Sequence, residues 1–133
     1  MPFDIELGGA TSTCAFTFRQ CQPLPASSRL GALVVVRSGV FSAAMPFFME
    51  RDALRAWHGA IVELEQGGLA EATLTEQQGR SSVVIARTGA DDVIIRGALY
   101  DPEDDQQLSF RLCVAIDALA LLRQGLQEAL NDQ

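Results

Sequence analysis

Lysine is absent from this chain of 133 residues, whose ten basic residues are all arginine. Without a lysine amine there is no Schiff-base nucleophile, no lysine general base and no phosphate-binding lysine of a P-loop. Histidine occurs once, as His58, which excludes metal sites that need two or three imidazole ligands. Several large enzyme classes are therefore excluded.

Local catalytic motifs are also missing, since the chain has no G-x-S-x-G, H-E-x-x-H, G-x-G-x-x-G or P-loop pattern. His58 follows Trp57 at the edge of an apolar helical stripe, a position more typical of an exposed or partner-contacting histidine than of a catalytic one. A thiol dyad of Cys113 with His58 has no supporting spacing. We predict no catalytic, cofactor or metal site, while an active site assembled from distant segments stays open.

Basic charge is scarce: 17 acidic residues against 10 basic ones give a net charge of −7. Such a chain repels phosphate backbones and anionic membrane surfaces. The opening "MPFDIELGGA" lacks the basic and apolar regions of a signal peptide, and no apolar run approaches the roughly 18 residues of a membrane span. We predict a cytoplasmic protein with neither a nucleic-acid nor a membrane partner.

The three cysteines, Cys14, Cys21 and Cys113, fit no zinc or redox spacing. Their odd number predicts free thiols in a reducing compartment. Cys14 shares the parity of Phe16, whereas Cys113 has the opposite parity to Leu112 and should face the second side of its sheet. We expect both Cys14 and Cys113 to be buried and unreactive.

Strand-like patterns of apolar residues occur in eight stretches. They lie at 3–7, 14–19, 30–36, 40–48, 69–76, 80–87, 91–100 and 106–115. The stretch at 30–36 is apolar on both parities, as in a strand covered on both faces. The segment "CQPLPASSR" at 21–29 is predicted to be a flexible loop, because its two prolines withdraw backbone donors. Pro46 predicts a free edge or a bulge in the fourth strand.

Two amphipathic helices are predicted, each opened by a similar phrase: "DALRAW" from Asp52 and "DALALL" from Asp117. The apolar stripes of these helices comprise Leu54, Trp57, Ile61 and Leu64 in the first, and Leu119, Leu122, Leu126 and Leu130 in the second. Asp52 and Asp117 are the expected N-caps, and Gly67 with Gly68 should end the first helix.

Together these patterns predict a single α+β domain over 1–133, with about eight mostly antiparallel strands and two helices packed on sheet in the order ββββα-ββββα. Hydrophobic residues make up 48% of the chain, enough for one core. Whether the strands form one curved sheet or two packed layers stays open, because two of the strands are apolar on both faces.

Acidic loops are the candidate partner-binding sites. The segment "DPEDD" at 101–105 departs from a calcium loop, which needs glycine and glutamate where this chain has Gln106 and Leu112. A solvated hairpin tip is the better account. The carboxylates predicted to face a protein partner are Asp91, Asp92, Asp101, Glu103, Asp104 and Asp105.

The order of features resembles small bacterial immunity proteins of the WapI type. The resemblance depends on the strand "FDIEL", the strand "GVFSAAMPFF", the helix "RDALRAWHGAIVEL" with Leu54 and Trp57, the charged hairpins and the closing helix with Leu119 and Leu122. It implies a stoichiometric inhibitor that binds and neutralises a cognate toxin and has no chemistry of its own. The net charge of −7 is compatible with a basic toxin domain.

Two other functions stay open. One is an acidic secretion chaperone that presents a hydrophobic groove to an exported client. The other is a small-molecule-binding or enzymatic α+β domain, in which a curved sheet and a helix enclose a pocket. The sequence leaves the oligomeric state undetermined.

Overall fold

A computed structural model describes residues 3–7 and 14–131. Within these residues the chain forms eight strands and two helices. In chain order they are β1 Phe3–Leu7, β2 Cys14–Pro23, β3 Arg29–Ser38, β4 Phe41–Glu50, α1 Arg51–Glu65, β5 Glu71–Thr75, β6 Ser82–Arg87, β7 Asp92–Asp101, β8 Gln106–Ala115 and α2 Ala118–Asn131. The predicted α+β order ββββα-ββββα is confirmed.

The strands form two four-stranded antiparallel sheets, ordered β1-β2-β3-β4 and β5-β6-β7-β8. The strands therefore form two separate sheets and not one curved sheet, the two arrangements between which the sequence did not decide. The sheets contact each other through aromatic side chains, for the ring of Phe16 on β2 stacks on that of Phe110 on β8 with centroids 6.0 Å apart. Gly97 lies opposite Phe110 on β7, and a Cβ there would lie 3.0 Å from the Phe110 ring.

Both helices bury the predicted apolar stripes. All eight stripe residues are buried, and Trp57 packs edge-on against Phe18 of the first sheet. Each helix packs mainly on the edge strand of the other half of the chain: α1 contacts β5, and α2 contacts β1. The main strand contact of each helix is therefore with the sheet of the opposite half.

Arginine side chains fasten the carboxyl ends of the two helices. Nη1 of Arg87 on β6 donates to the carbonyls of Leu64 and Glu65 at the end of α1, at 2.8 and 3.3 Å. Nη1 of Arg51 donates to the carbonyl of Leu130 near the end of α2 at 3.2 Å. A cation at the negative end of a helix dipole stabilises that helix.

The glycine end predicted for α1 is confirmed, and Asp117 lies next to the start of α2. Asp117 directly precedes α2, and its carbonyl accepts from the amide of Ala120. Gly67 has a positive φ of 84° and ends α1 together with Gly68, whose amide donates to the carbonyl of Glu63.

The prediction that Asp52 caps α1 was wrong. Glu50 occupies the N-cap without a side-chain cap, because hydrogen bonds from Ser28 and Arg29 hold its carboxylate and lower its pKa. Since β4 ends at Glu50 and α1 begins at the next residue, Asp52 lies in the first turn. There it pairs with Arg55 at 2.7 Å.

The predicted loop at 21–29 was also wrong in its first three residues and in its last, because Arg29 begins β3. Strand β2 continues to Pro23 beyond a register shift between Arg19 and Gln22, near a positive φ of 54° at Gln20. Because of this irregularity, the side chain of Cys21 points into the core, and the residue is 1% exposed. Burial of an apolar-like thiol favours continuing the strand over starting a loop.

The two described free cysteines differ in environment. Cys21 is buried, whereas Cys113 is exposed, against the expectation of a buried thiol. Cys113 does face the second side of its sheet, as its parity predicts, but the outer face of β8 is largely exposed. The side chain of Cys14 lies outside the described residues.

Strand β3 is fully buried on one face and only partly buried on the other. Val34 and Val36 face the core, while Leu33 and Val35 on the other face are half-buried. The apolar character of Leu33 and Val35 predicted that both faces of β3 are covered, but these two side chains are only half-buried.

Candidate functional site: a seam between two open strand edges

Four strands lie at the edges of the two sheets, and they fall into two kinds. Strands β1 and β5 are flanked by helices α2 and α1. Within the described residues all four pair with a strand on one side only, but the main helix contacts are with β1 and β5, so we call β4 and β8 the open edges. The prediction of a free edge at Pro46 is confirmed, because Pro46 lies in β4 with an unbroken register opposite Leu33.

An apolar groove of about 360 Å³ opens where β4 begins. It lies between residues 41–43 of β4 and residues 108–111 of β8, with Val36 and Ser38 behind. Its large apolar lining residues are Val36, Phe41, Leu108 and Phe110.

A second groove of about 440 Å³ lies farther along the same strand and carries acidic side chains. It is bounded by residues 44–46 and Phe48 of β4, by Glu76, Gln78 and Ser81 of the β5–β6 hairpin, and by residues 100–103 at the end of β7. Three carboxylates, those of Glu76, Asp101 and Glu103, border it.

The two grooves follow one another along β4, since the first touches residues 41–43 and the second touches 44–48. On the facing side they touch β8 and then the end of β7 that leads into it. We call these two adjacent grooves together, bordered by 41–48 of β4 and by 100–103 and 108–111, the seam. One end of the seam is apolar and the other is acidic.

Exposed hydrophobic side chains gather at the seam. Of the six large hydrophobic residues that are exposed within the described part of the chain, Phe41, Phe48 and Leu108 line the grooves, and Val40 adjoins Phe41. Val40 is 94% exposed and Phe41 is 77% exposed. A cluster of this kind on an otherwise polar surface marks an interaction site.

The turn after β7 is held by its own hydrogen bonds. The hydroxyl of Tyr100 donates to Asp105 Oδ1 at 2.7 Å, and this bond raises the pKa of Tyr100 above its ordinary value. The amide of Glu103 donates to Asp101 Oδ1 at 3.0 Å. The guanidinium of Arg80 lies 4.5 Å from the centre of the ring of Tyr100, a residue that lines the acidic groove.

Backbone geometry shows which groups of β4 point away from its sheet. The carbonyl of Phe48 accepts from the amide of Gln77, which lies outside the sheet, whereas the amide of Arg51 donates back toward β3 at Ser28. The backbone amide and carbonyl of successive residues point alternately to the two sides of a strand. In β4, those of the even-numbered residues therefore point away from β3, toward the open edge. Pro46 is one of them, so its missing amide breaks no bond within the sheet.

The structure divides the six predicted partner-binding residues into two groups. Asp101 and Glu103 border the acidic groove, and Asp104 and Asp105 belong to the same turn. Asp91 and Asp92 are exposed at the opposite end of β7, about 30 Å away along a strand of ten residues. The two groups therefore belong to different surfaces.

Several residues of the seam were not singled out from the sequence. The sequence placed Phe41 and Met45 only within the strand-like stretch at 40–48, and Glu76 at the end of the stretch at 69–76. Only the topology shows that β4 and β8 are open edges and that the β5–β6 hairpin reaches β4. Pro46 was the one local signal that pointed to this edge.

The remaining polar candidates do not assemble into a reactive site. His58 lines a shallow groove between α1 and α2 with Val62, Ala120 and Arg123, and Cys113 is not among its lining residues. Over 3–7 and 14–131, no three His, Cys, Asp or Glu side chains are arranged to hold a metal ion. Neither helix is long and apolar enough to cross a membrane.

No protein-family model matches the chain. No curated protein matches it in sequence. A structural match is the crystal structure of MRP1/MRP2 of Trypanosoma bruciei, with a TM-score of 0.58 and 9% sequence identity, covering 98% of this chain and 84% of that one. At this identity the likeness concerns the fold alone.

Proposed function

We propose that this chain is a stoichiometric protein-binding module and that its partner occupies the seam. The proposal is carried by the exposed side chains of Phe41, Phe48 and Leu108, which gather along two edge strands whose outer sides pair with no strand of the described chain. A long, apolar, uncovered edge promotes association unless it is blocked or has a partner.

The charge of the chain favours a basic partner. Glu76, Asp101 and Glu103 border one end of the seam, and the whole chain carries a net charge of −7. Complementary potentials speed encounter and exclude wrongly charged partners. In its finer form the proposal is an immunity role, in which the chain neutralises a basic toxin domain by covering it.

Co-expression tests this role directly. Each toxin-like domain encoded beside the gene is expressed in a bacterial host with and without the chain, and growth and complex formation are measured. We expect one domain to be toxic alone, harmless with the chain, and recovered with it in equimolar amount by size-exclusion chromatography. Failure of every such domain to bind would contradict the immunity role.

Two matched variants test whether the seam is the surface used. Phe41→Asp places a charge at the apolar end of the seam, and Leu121→Asp makes the same change at a residue of α2 that is 66% exposed and lines neither groove. We expect Phe41→Asp to weaken the complex by tenfold or more, about 1.4 kcal/mol, and Leu121→Asp to leave it unchanged. The reverse pattern, or tight binding of single-stranded DNA or RNA that Phe41→Asp abolishes, would contradict the proposal.

A further inference from the structure

We propose that β4 receives one extended segment of the partner as a fifth, antiparallel strand of the first sheet. The N-terminal part of that segment would carry basic residues and its C-terminal part apolar ones. This inference rests on the proposed function, since it specifies how a protein partner occupies the seam.

The first support is a row of free backbone groups. Ser42 and Ala44 are exposed and share the outward orientation of Phe48. Over the described ranges 3–7 and 14–131, no backbone group bonds to their outward amides and carbonyls. An exposed sheet edge of this kind binds extended peptides through main-chain hydrogen bonds.

The second support is that this edge already accepts a bond from outside its sheet. The amide of Gln77 donates to the carbonyl of Phe48 at 2.8 Å, so the β5–β6 hairpin covers the far end of β4. Pro46 has a carbonyl to offer but no amide. The open part of the ladder therefore runs from Ser42 to Pro46, which is the part that both grooves adjoin.

The third support fixes the direction and chemistry of the added strand. Strand β4 runs from the apolar groove at Phe41 toward the acidic groove bordered by Asp101 and Glu103. Both sheets are antiparallel throughout, so an antiparallel addition continues the existing pattern. Such a strand passes the carboxylates first and the apolar groove afterwards, so its basic residues come before its apolar ones.

A synthetic peptide, acetyl-Lys-Thr-Lys-Thr-Val-Thr-Val-Thr-Val-amide, serves as the probe, titrated into the ¹⁵N-labelled chain and followed by NMR. We expect the amide signals of Ser42 and Ala44 to shift most, and the reversed sequence to bind about tenfold more weakly. Equal binding of both sequences, or shifts confined to the helices, would overturn the proposal.

N-methylation separates a backbone ladder from side-chain contact. Two further peptides carry N-methyl groups on alternate residues, one set on the odd positions and one on the even positions. Because only one edge of the peptide can face β4, we expect one set to weaken binding by tenfold or more and the other to leave it nearly unchanged. No loss with either set would overturn strand addition.

A variant of the chain distinguishes this inference from the proposed function. Ala44→Pro removes an outward amide at a position equivalent to that of Pro46, and Ser42→Ala, which keeps the amide, is its control. We expect Ala44→Pro to keep the wild-type Tm and to lose peptide affinity by about tenfold. If Phe41→Asp abolishes the partner complex while Ala44→Pro leaves it intact, the seam binds its partner without an added strand. If Ala44→Pro unfolds, the N-methylated peptides decide.

A second copy of the chain is the competing occupant. Sedimentation of the chain without peptide tests this, because pairing of two β4 edges would give a concentration-dependent dimer. We expect a monomer at the concentrations used for NMR, since each copy carries a net charge of −7. A dimer that Ala44→Pro dissociates would overturn the assignment of the edge to a partner segment.

Discussion

The closed and open edges of the two sheets differ in length as well as in cover. Strands β1 and β5, which the helices flank, have five residues each, whereas β4 and β8, which are open, have ten each. Proteins usually keep uncovered edges short or charged to prevent association. Here the uncovered edges are the long ones and carry exposed Phe41 and Leu108. Under the proposed function, the open edges contact the partner and the closed edges contribute to stability.

The closed edges depend on buried helix residues, so truncating one should cause the largest loss. Leu122 and Leu121 are neighbours on α2, the first fully buried and the second 66% exposed. We expect Leu122→Ala to reduce the free energy of unfolding by about 2–5 kcal/mol and Leu121→Ala to change it by less than about 0.5 kcal/mol. Urea denaturation measures both. Equal losses of unfolding free energy in the two variants would contradict the packing of the Leu122 face of α2 in the core.

The two described cysteines differ in the same way as the edges beside them. Cys21 lies opposite Phe3 of the closed edge strand β1, and Cys113 lies on the open edge strand β8. Burial raises the pKa of Cys21 from 9.0 to about 11, against a smaller lowering by Arg51. The pKa of Cys21 is higher in the folded chain than in the unfolded one. Its contribution to the free energy of unfolding is therefore complete below pH 9 and is lost as the pH rises toward 11. The loss is about 2–3 kcal/mol.

Urea denaturation between pH 8 and pH 11 measures this loss. Cys21→Ala should remove that part of the pH dependence, and Cys113→Ala should keep it. In a Cys14→Ser background, iodoacetamide should modify Cys113 readily and Cys21 only on unfolding. Rapid modification of Cys21 in the folded chain would contradict its burial.

Replacing two helix glycines by alanine should change the free energy of unfolding by smaller amounts, with opposite signs at the two positions. A Cβ at Gly125 on α2 would lie 2.9 Å from Cγ2 of Ile5 on β1, whereas one at Gly59 on α1 would meet nothing within 4 Å. We expect Gly125→Ala to cost about 1–2 kcal/mol, because Ile5 is buried and β-branched and cannot move aside. Gly59→Ala should stabilise by about 0.5–1 kcal/mol. Thermal unfolding checks both signs, and stabilisation by both would mean that α2 does not pack tightly on β1.

The smallest expected effect on stability is at the open edge. Phe41→Ser removes a side chain that is 77% exposed, so we expect the free energy of unfolding to change by less than about 0.5 kcal/mol. Solubility should rise, because an apolar group leaves an open edge. A loss of several kcal/mol would show that Phe41 supports the fold, which would remove the main reason to regard the seam as a binding surface.

Local periodicity was sufficient to predict the elements of this fold. The stripes that include Trp57 and Leu122 are the buried faces of α1 and α2, and Pro46 indicated an edge strand. Errors arose where distant groups decide local structure. Asp52 is not the N-cap, because Ser28 and Arg29 hold Glu50 at the end of β4.

The candidate site was less predictable than the fold, because it is made by long-range topology. Phe41 and Leu108 belong to different sheets, and only the order of strands shows that both lie on open edges. The acidic loops were evident from composition. Their separation was not considered, although Asp92 and Asp101 begin and end a single ten-residue strand.

Hydrogen exchange followed by mass spectrometry, on the chain alone and in complex with its co-purified partner, shows whether the partner occupies the seam. We expect binding to slow exchange in the segments 40–48 and 106–111, and to leave the exposed faces of α1 and α2 and the turn at 88–91 unchanged. Protection confined to the helices or to the turn at Asp91, with 40–48 exchanging as fast as in the free chain, would contradict occupancy of the seam.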